Sequence, residues 1–202
     1  MQALLFPLPG LILNPMSKLT LNIFEPRYLE MIDKAVSEDI PLAISPSYED
    51  ISGEEVVRIE HESTPFVYKF CGHGRVQVLG VTPEGNKLIM IEGAGKGEIT
   101  SVMRGGNYNE VLLQDVQQDH GLSESSTFVY RRLRRLTEEN LLNHLGKKRE
   151  VSTIMGHLED PQSLVAFYCD HILKDFNKRL EVFNANTLEE KVLLLGRFLV
   201  HH

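Results

Sequence analysis

Hydrophobic positions change their period near residue 120. Before it they alternate: Leu19, Leu21 and Ile23 are separated by Thr20 and Asn22, the period-two signature of a half-buried strand. The runs VVRI (56–59), PFVYKF (65–70), RVQVLGV (75–81) and KLIMIEG (87–93) are short, rich in β-branched and aromatic residues, and bounded by turn residues. Each predicts a strand. Thr82-Pro-Glu-Gly-Asn86 separates the last two, with a glycine free to take positive φ, and predicts a hairpin. One helix interrupts this region, from about Pro26 to Ser37. There Tyr28, Ile32 and Ala35, with Leu29 and Val36 beside them, recur at three- and four-residue intervals.

Beyond residue 120 the period is helical. In SSTFVYRRLRRLTEENLLNHLG, Val129, Leu133, Leu136, Leu141 and Leu145 share a stripe, and Gly146 is a natural C-terminal stop. Asp160-Pro161 opens a second helix, because Asp caps free amides and a first-turn proline loses no hydrogen bond. Thr187 and Glu190 have capping-box spacing ahead of a stripe of Leu188, Val192, Leu195 and Leu199. A β-rich part followed by a helical part predicts an α+β chain of two subdomains, 1–118 and 119–202, rather than an alternating parallel sheet.

Composition adds limits. The 202 residues are 42% hydrophobic and 24% charged, enough to bury a core without staples. Two cysteines about a hundred positions apart form no disulfide framework, which suits a reducing compartment. The apolar N-terminus lacks a basic n-region and is broken by Pro7, Pro9 and Asn14, so it reads as neither a signal peptide nor a membrane span. The cytoplasm is the default expectation, with no membrane partner. Net charge is −7, and it is uneven: residues 1–122 carry 9 Lys/Arg against 17 Asp/Glu, residues 123–202 carry 12 against 11. Nucleic acid is thereby disfavoured as a general partner. The local basic helix of Arg131, Arg132, Arg134 and Arg135 keeps RNA or an acidic protein as the alternative reading. Its other reading is a solvated face paired with Glu138 and Glu139.

No motif for catalysis or ligation survives inspection. Gly93-Ala-Gly-Lys-Gly97 lacks the first glycine of a phosphate loop and has Gly97 in place of the hydroxyl residue, so strand glycines at a bend are the better reading. Cys71-x-His73 and Cys169-x-His171 have spacings that zinc sites do not favour, so buried cysteine beside ordinary histidine is expected. His61-Glu62 lacks a second histidine, and Ser17-Lys18 on an alternating strand point to opposite faces. Carboxylate pairs such as Glu54-Glu55 read as solvated. The expectation is no enzyme, no catalytic residues, no metal and no cofactor.

The stretch Phe24-Glu25-Pro26-Arg27-Tyr28 reads as a corner where a strand ends and a helix begins. Pro26 suits the first turn, Glu25 sits near the amide end, and Arg27 is placed to pair with a carboxylate or to reach a loop carbonyl. With LLFPLPGLILNP before it and FVYKFCGHGRVQVLGVTPEGNKLIMIEGAGKGEI after it, this order resembles the N-terminal substrate-binding domain of Lon proteases. The tail DPQSLVAFYCDHILKDFNKRLEVFNANTLEEKVLLLGRFL looks like the helical part that follows in those proteins. Asn14-Pro15-Met16 departs from the Phe-Pro-Gly of many members, and Lys96 stands where arginine is common.

The resemblance implies a twisted, PUA-like pseudo-barrel with one inserted helix, followed by a helical subdomain. It implies a non-catalytic recognition module acting on unfolded or client proteins, within a proteolytic or chaperone system. The ATPase module and the serine–lysine protease domain of such proteins would lie downstream, so a stand-alone domain is expected. An apolar surface is expected to include Leu11, Leu13 and Met16, with Tyr130 and Arg134 opposite, although core packing is the competing reading for each leucine.

Overall fold

The structure is a computed structural model and describes residues 1–48, 56–59, 62, 65–104 and 106–200. Glu54, Glu55 and His61 lie outside the described residues. The chain divides into two compact units, Met1–Val116 and Gln117–His202.

The first unit is built on strands β1 (Gln2–Pro7), β2 (Lys18–Ile23), β3 (Leu42–Ser45), β4 (Ser47–Tyr48), β5 (Val56–Arg58), β6 (Phe66–Tyr68), β7 (Phe70–Val81), β8 (Lys87–Arg104) and β9 (Asn109–Asp115). Six of them form one sheet in the order β2-β8-β7-β3-β1-β9, and β8 also pairs with β9. The long strand β8 makes this return possible. Its first part lies between β2 and β7, and from Gly97 onward it pairs with β9. Register shifts after His73, Val78 and Ile99 insert extra residues, and such bulges bend a sheet. Strands β4, β6 and β5 form a separate three-stranded sheet.

Helix α1 (Pro26–Ser37) covers one face of the large sheet. Its buried stripe is Tyr28, Met31, Ile32 and Ala35, packed with Leu4, Ile44, Ile89 and Ile91. Val36, expected beside that stripe, is exposed instead. It follows Ala35 by one position, and 100° of helical rotation turns it to solvent. The hairpin forms as the turn sequence dictates: Thr82 N–H reaches Asn86 O at 2.9 Å, and Gly85 takes φ 88°.

The second unit is helical: α2 (Glu124–Leu145), α3 (Lys148–His157), α4 (Pro161–Phe167), a π-helical turn (Tyr168–Ile172), α5 (Phe176–Asn184) and α6 (Leu188–Val200). The capping signals act as read. Asp160 accepts from Ser163 N–H at 3.0 Å. Thr187 Oγ1 accepts from Glu190 N–H at 3.1 Å, while the Glu190 carboxylate accepts from Thr187 N–H at 3.2 Å. Gly146 ends α2 in the left-handed region, φ 67°. Leu133, Leu164, Val192 and Leu195 centre the core. Leu145, the last residue of α2, is exposed. Among the described residues, no helix is long and apolar enough to cross a membrane.

Candidate functional site

The loop joining β1 to β2 is strapped onto the sheet by backbone contacts that only glycine permits. Leu13 O and Asn14 O lie where the Cβ atoms of Gly72 and Gly93 would stand, 1.9 and 2.1 Å from those ideal positions. Met16 N–H donates to Gly93 O at 2.8 Å, and Gly93 N–H donates to Ser17 O at 2.8 Å. Gly72 and Gly93, the latter the first glycine of the Gly-Ala-Gly-Lys-Gly run, therefore make room for a crossing loop. Gly95 does the same for the His73 ring, whose Nε2 lies 2.9 Å from the ideal Cβ position.

This strapping sorts the loop side chains. Leu13 is 1% exposed and belongs to the core, so it offers no contact surface. Leu11 is half-buried against the same α1-facing core. Met16 is 55% exposed, and its backbone is held at φ 69°, in the region that L side chains seldom adopt. With Met1, Pro41 and Ala94 it lines a cleft of about 630 Å³, to which Gln2, His73, Gly74, Arg75, Glu92 and Gly93 also contribute. Methionines give this cleft adaptable apolar surface. Its charged residues, Arg75 and Glu92, are well exposed; Arg75 pairs with Asp39 at 2.8 Å and Glu92 with Lys18 at 3.9 Å.

His73 faces Asp115, Nε2 to Oδ1 3.2 Å. Burial lowers its pKa more than the carboxylate raises it, which favours the neutral ring. Cys71, two residues away, is fully buried; its thiol is pushed up to about 12 by desolvation and donates weakly to Gly97 O at 3.7 Å. Cys169 lies in the π-helical turn and is likewise inert, pushed to about 12. No group of three or more His, Cys, Asp or Glu able to hold a metal occurs among the described residues.

At the corner, Arg27 stands in a cluster of charged and aromatic groups. Its guanidinium bonds Glu25 and Glu62, each at 3.1 Å, and lies 4.5 Å from the centre of the Tyr28 ring. The Tyr28 hydroxyl donates to the same Glu62 oxygen at 3.0 Å. Glu25 makes no side-chain cap; its carbonyl accepts the Tyr28 and Leu29 amides instead. Phe24, by contrast, is exposed.

In the helical unit Tyr130 packs half-buried against the core. Arg134 donates to Leu158 O at 3.0 Å and to Met155 O at 3.4 Å, tying α2 to the end of α3. Arg135 pairs with Glu139 at 2.8 Å, as the solvated-face reading expects. Arg131 and Arg132 are exposed. A second apolar groove of about 600 Å³ lies along Ala185, Leu193 and Leu194, edged by Glu181, Glu190 and Arg197.

Comparison with known proteins places this architecture. The Lon protease of Brevibacillus choshinensis is 21% identical over 193 residues, which cover 95% of this chain and 24% of that protein. The chain thus spans about a quarter of the length of that relative. The N-terminal domain of the Mycobacterium avium complex Lon protease superposes with a TM-score of 0.75 at 14% identity, each chain being covered in full. The Lon N-terminal domain protein from Xanthomonas campestris superposes with a TM-score of 0.66 at 14% identity, over 99% of this chain and 98% of that one. These two likenesses establish the fold. The sequence profile of the ATP-dependent protease La (Lon) substrate-binding domain matches residues 2–201, and the chain belongs to that family.

Proposed function

We propose that this chain recognises exposed apolar segments of non-native proteins, and that the cleft around Met16 is part of the surface that does so. One observation carries the reading. Met16 is a large apolar residue kept more than half exposed on a backbone in the left-handed region. A conformation of this kind costs on the order of 1 kcal/mol and persists only where the surroundings impose it. Here two backbone hydrogen bonds around Gly93 impose it and hold the side chain at the mouth of a cleft whose other apolar residues are Met1, Pro41 and Ala94. Membership in a substrate-binding family supports the same conclusion.

Met16→Asp tests it without threatening the fold, since the side chain is exposed and Asp tolerates positive φ better than Met. Fluorescence anisotropy with reduced, carboxymethylated α-lactalbumin as the probe should show at least tenfold weaker binding for Met16→Asp, at an unchanged melting temperature. Equal binding by variant and parent would remove the cleft from the recognition surface. Loss of binding on Arg131→Glu with Arg135→Glu, together with retention of an RNA oligonucleotide by the parent, would favour the basic helix instead.

A further inference from the structure

Strand β7 runs on past its neighbour. It pairs with β3 only at Gly72–Gly74 and continues to Val81 with β8 along one side. Along the other side, no strand among the described residues pairs with residues 75–81. Backbone groups on that side therefore form a row of donors and acceptors that another strand would satisfy. Natural edges are blunted by charged residues, proline, bulges or a covering helix or loop. Val76-Gln-Val-Leu-Gly-Val81 contains no charge and no proline, its bulge comes only after Val78, and the exposed Arg75 stands at its start. Val78, Leu79 and Val81 are 36%, 48% and 62% exposed. The outer edge of β2 contrasts with it, carrying Lys18, Thr20 and Asn22 at its exposed positions.

We propose that the outer edge of β7 takes an extended apolar segment of a non-native protein as an added strand, with basic residues flanking that segment. The proposal rests on the recognition reading above and specifies the mode of binding. Three features select this occupant. Main-chain pairing is indifferent to side-chain identity, as recognition of many clients demands. The edge starts at Arg75, which also lines the Met16 cleft, so strand and cleft form one continuous site. Residues 1–116 carry 9 Lys/Arg against 16 Asp/Glu, so a second copy is repelled and a cationic segment is attracted. Asp39 pairs with Arg75 at the start of the edge, and Glu84 lies in the turn after Val81. The bulge after Val78 limits regular pairing to about four residues, a length sufficient for strand addition. The edge is also preorganised, because Val76 packs into the α1-facing core and α1 contacts β7.

The test uses the full chain and a fluorescein-labelled peptide, Lys-Val-Thr-Val-Thr-Val-Lys. Two derivatives are N-methylated at alternate residues, one in each register, and a third replaces both lysines by glutamate. Strand addition predicts that one N-methylated derivative binds at least tenfold more weakly while the other stays within about twofold of the parent. It also predicts slowed amide exchange at alternate residues of 75–78 on binding. The glutamate peptide should bind several-fold more weakly at low salt.

Binding of both N-methylated peptides like the parent would overturn the proposal, as would protection at β2 rather than β7. If carboxymethylated α-lactalbumin still bound in either case, the recognition reading would stand and only the edge would fall. Absence of binding by both peptide and unfolded protein would remove both. A concentration-dependent dimer that the peptide dissociates would assign the edge to a second copy and overturn the proposed occupant.

Discussion

Arg27 holds two carboxylates and a tyrosine ring at the start of α1. The Glu62 side chain is only 4% exposed, and both Arg27 and the Tyr28 hydroxyl address the same oxygen. Burial raises the Glu62 pKa, and the arginine and tyrosine act against that rise. Arg27→Ala therefore strands a buried carboxylate. The pair lies between the exposed and fully buried cases, so the expected loss is about 2 kcal/mol of stability, measurable by urea unfolding. Unchanged unfolding accompanied by lost client binding would make Arg27 a contact residue rather than a corner residue. The sequence showed this corner through its proline and charges, but not the partner. Glu62 lies more than thirty positions away, and no local period links it to Arg27. Met16 was legible as an apolar loop residue. Its positive φ was not, because that conformation comes from hydrogen bonds to a strand remote in sequence.

At the scale of elements, α1, α2, α4, α6 and the β7–β8 hairpin were legible because each carries its own caps, periodicity or turn. Strand β9 and helices α3 and α5 were not. Asn109–Asp115 has a weak alternation that becomes a strand through pairing with β1 and β8, and α3 and α5 are short helices stabilised mainly by burial. Helix α6 carries a further testable feature. Lys191 is buried, its ammonium bonds Gln118 Oε1 at 2.9 Å, and desolvation lowers its pKa from 10.5 to about 8. The folded state then holds the proton less tightly than the unfolded chain. Between about pH 8 and 10.5 the unfolded state binds more protons, so stability from this group rises with pH across that window and is lower below it. Lys191→Met should be more stable than the parent at pH 7, by about 2 kcal/mol. That advantage should shrink as pH rises through the window. Parallel melting profiles from pH 7 to 10.5 would show that Lys191 is not held in a depressed state.

For the whole molecule, the proposed activity is recognition of apolar segments in non-native proteins. The α+β fold and its family were legible through the order of motifs along the chain, while the sites were not. The proposed recognition surface consists of what the fold leaves uncovered: a methionine above a cleft and a strand edge beyond its neighbour. Neither has a sequence period. Burial of apolar surface on binding has a thermodynamic signature, a negative heat-capacity change. Isothermal titration calorimetry of the full chain with reduced, carboxymethylated α-lactalbumin at several temperatures, beside the native disulfide-bonded form, measures it directly. Apolar recognition predicts at least tenfold preference for the unfolded form, a clearly negative heat-capacity change and weak dependence on salt. Equal affinity for both forms, or a heat-capacity change near zero with affinity collapsing as salt rises, would contradict it.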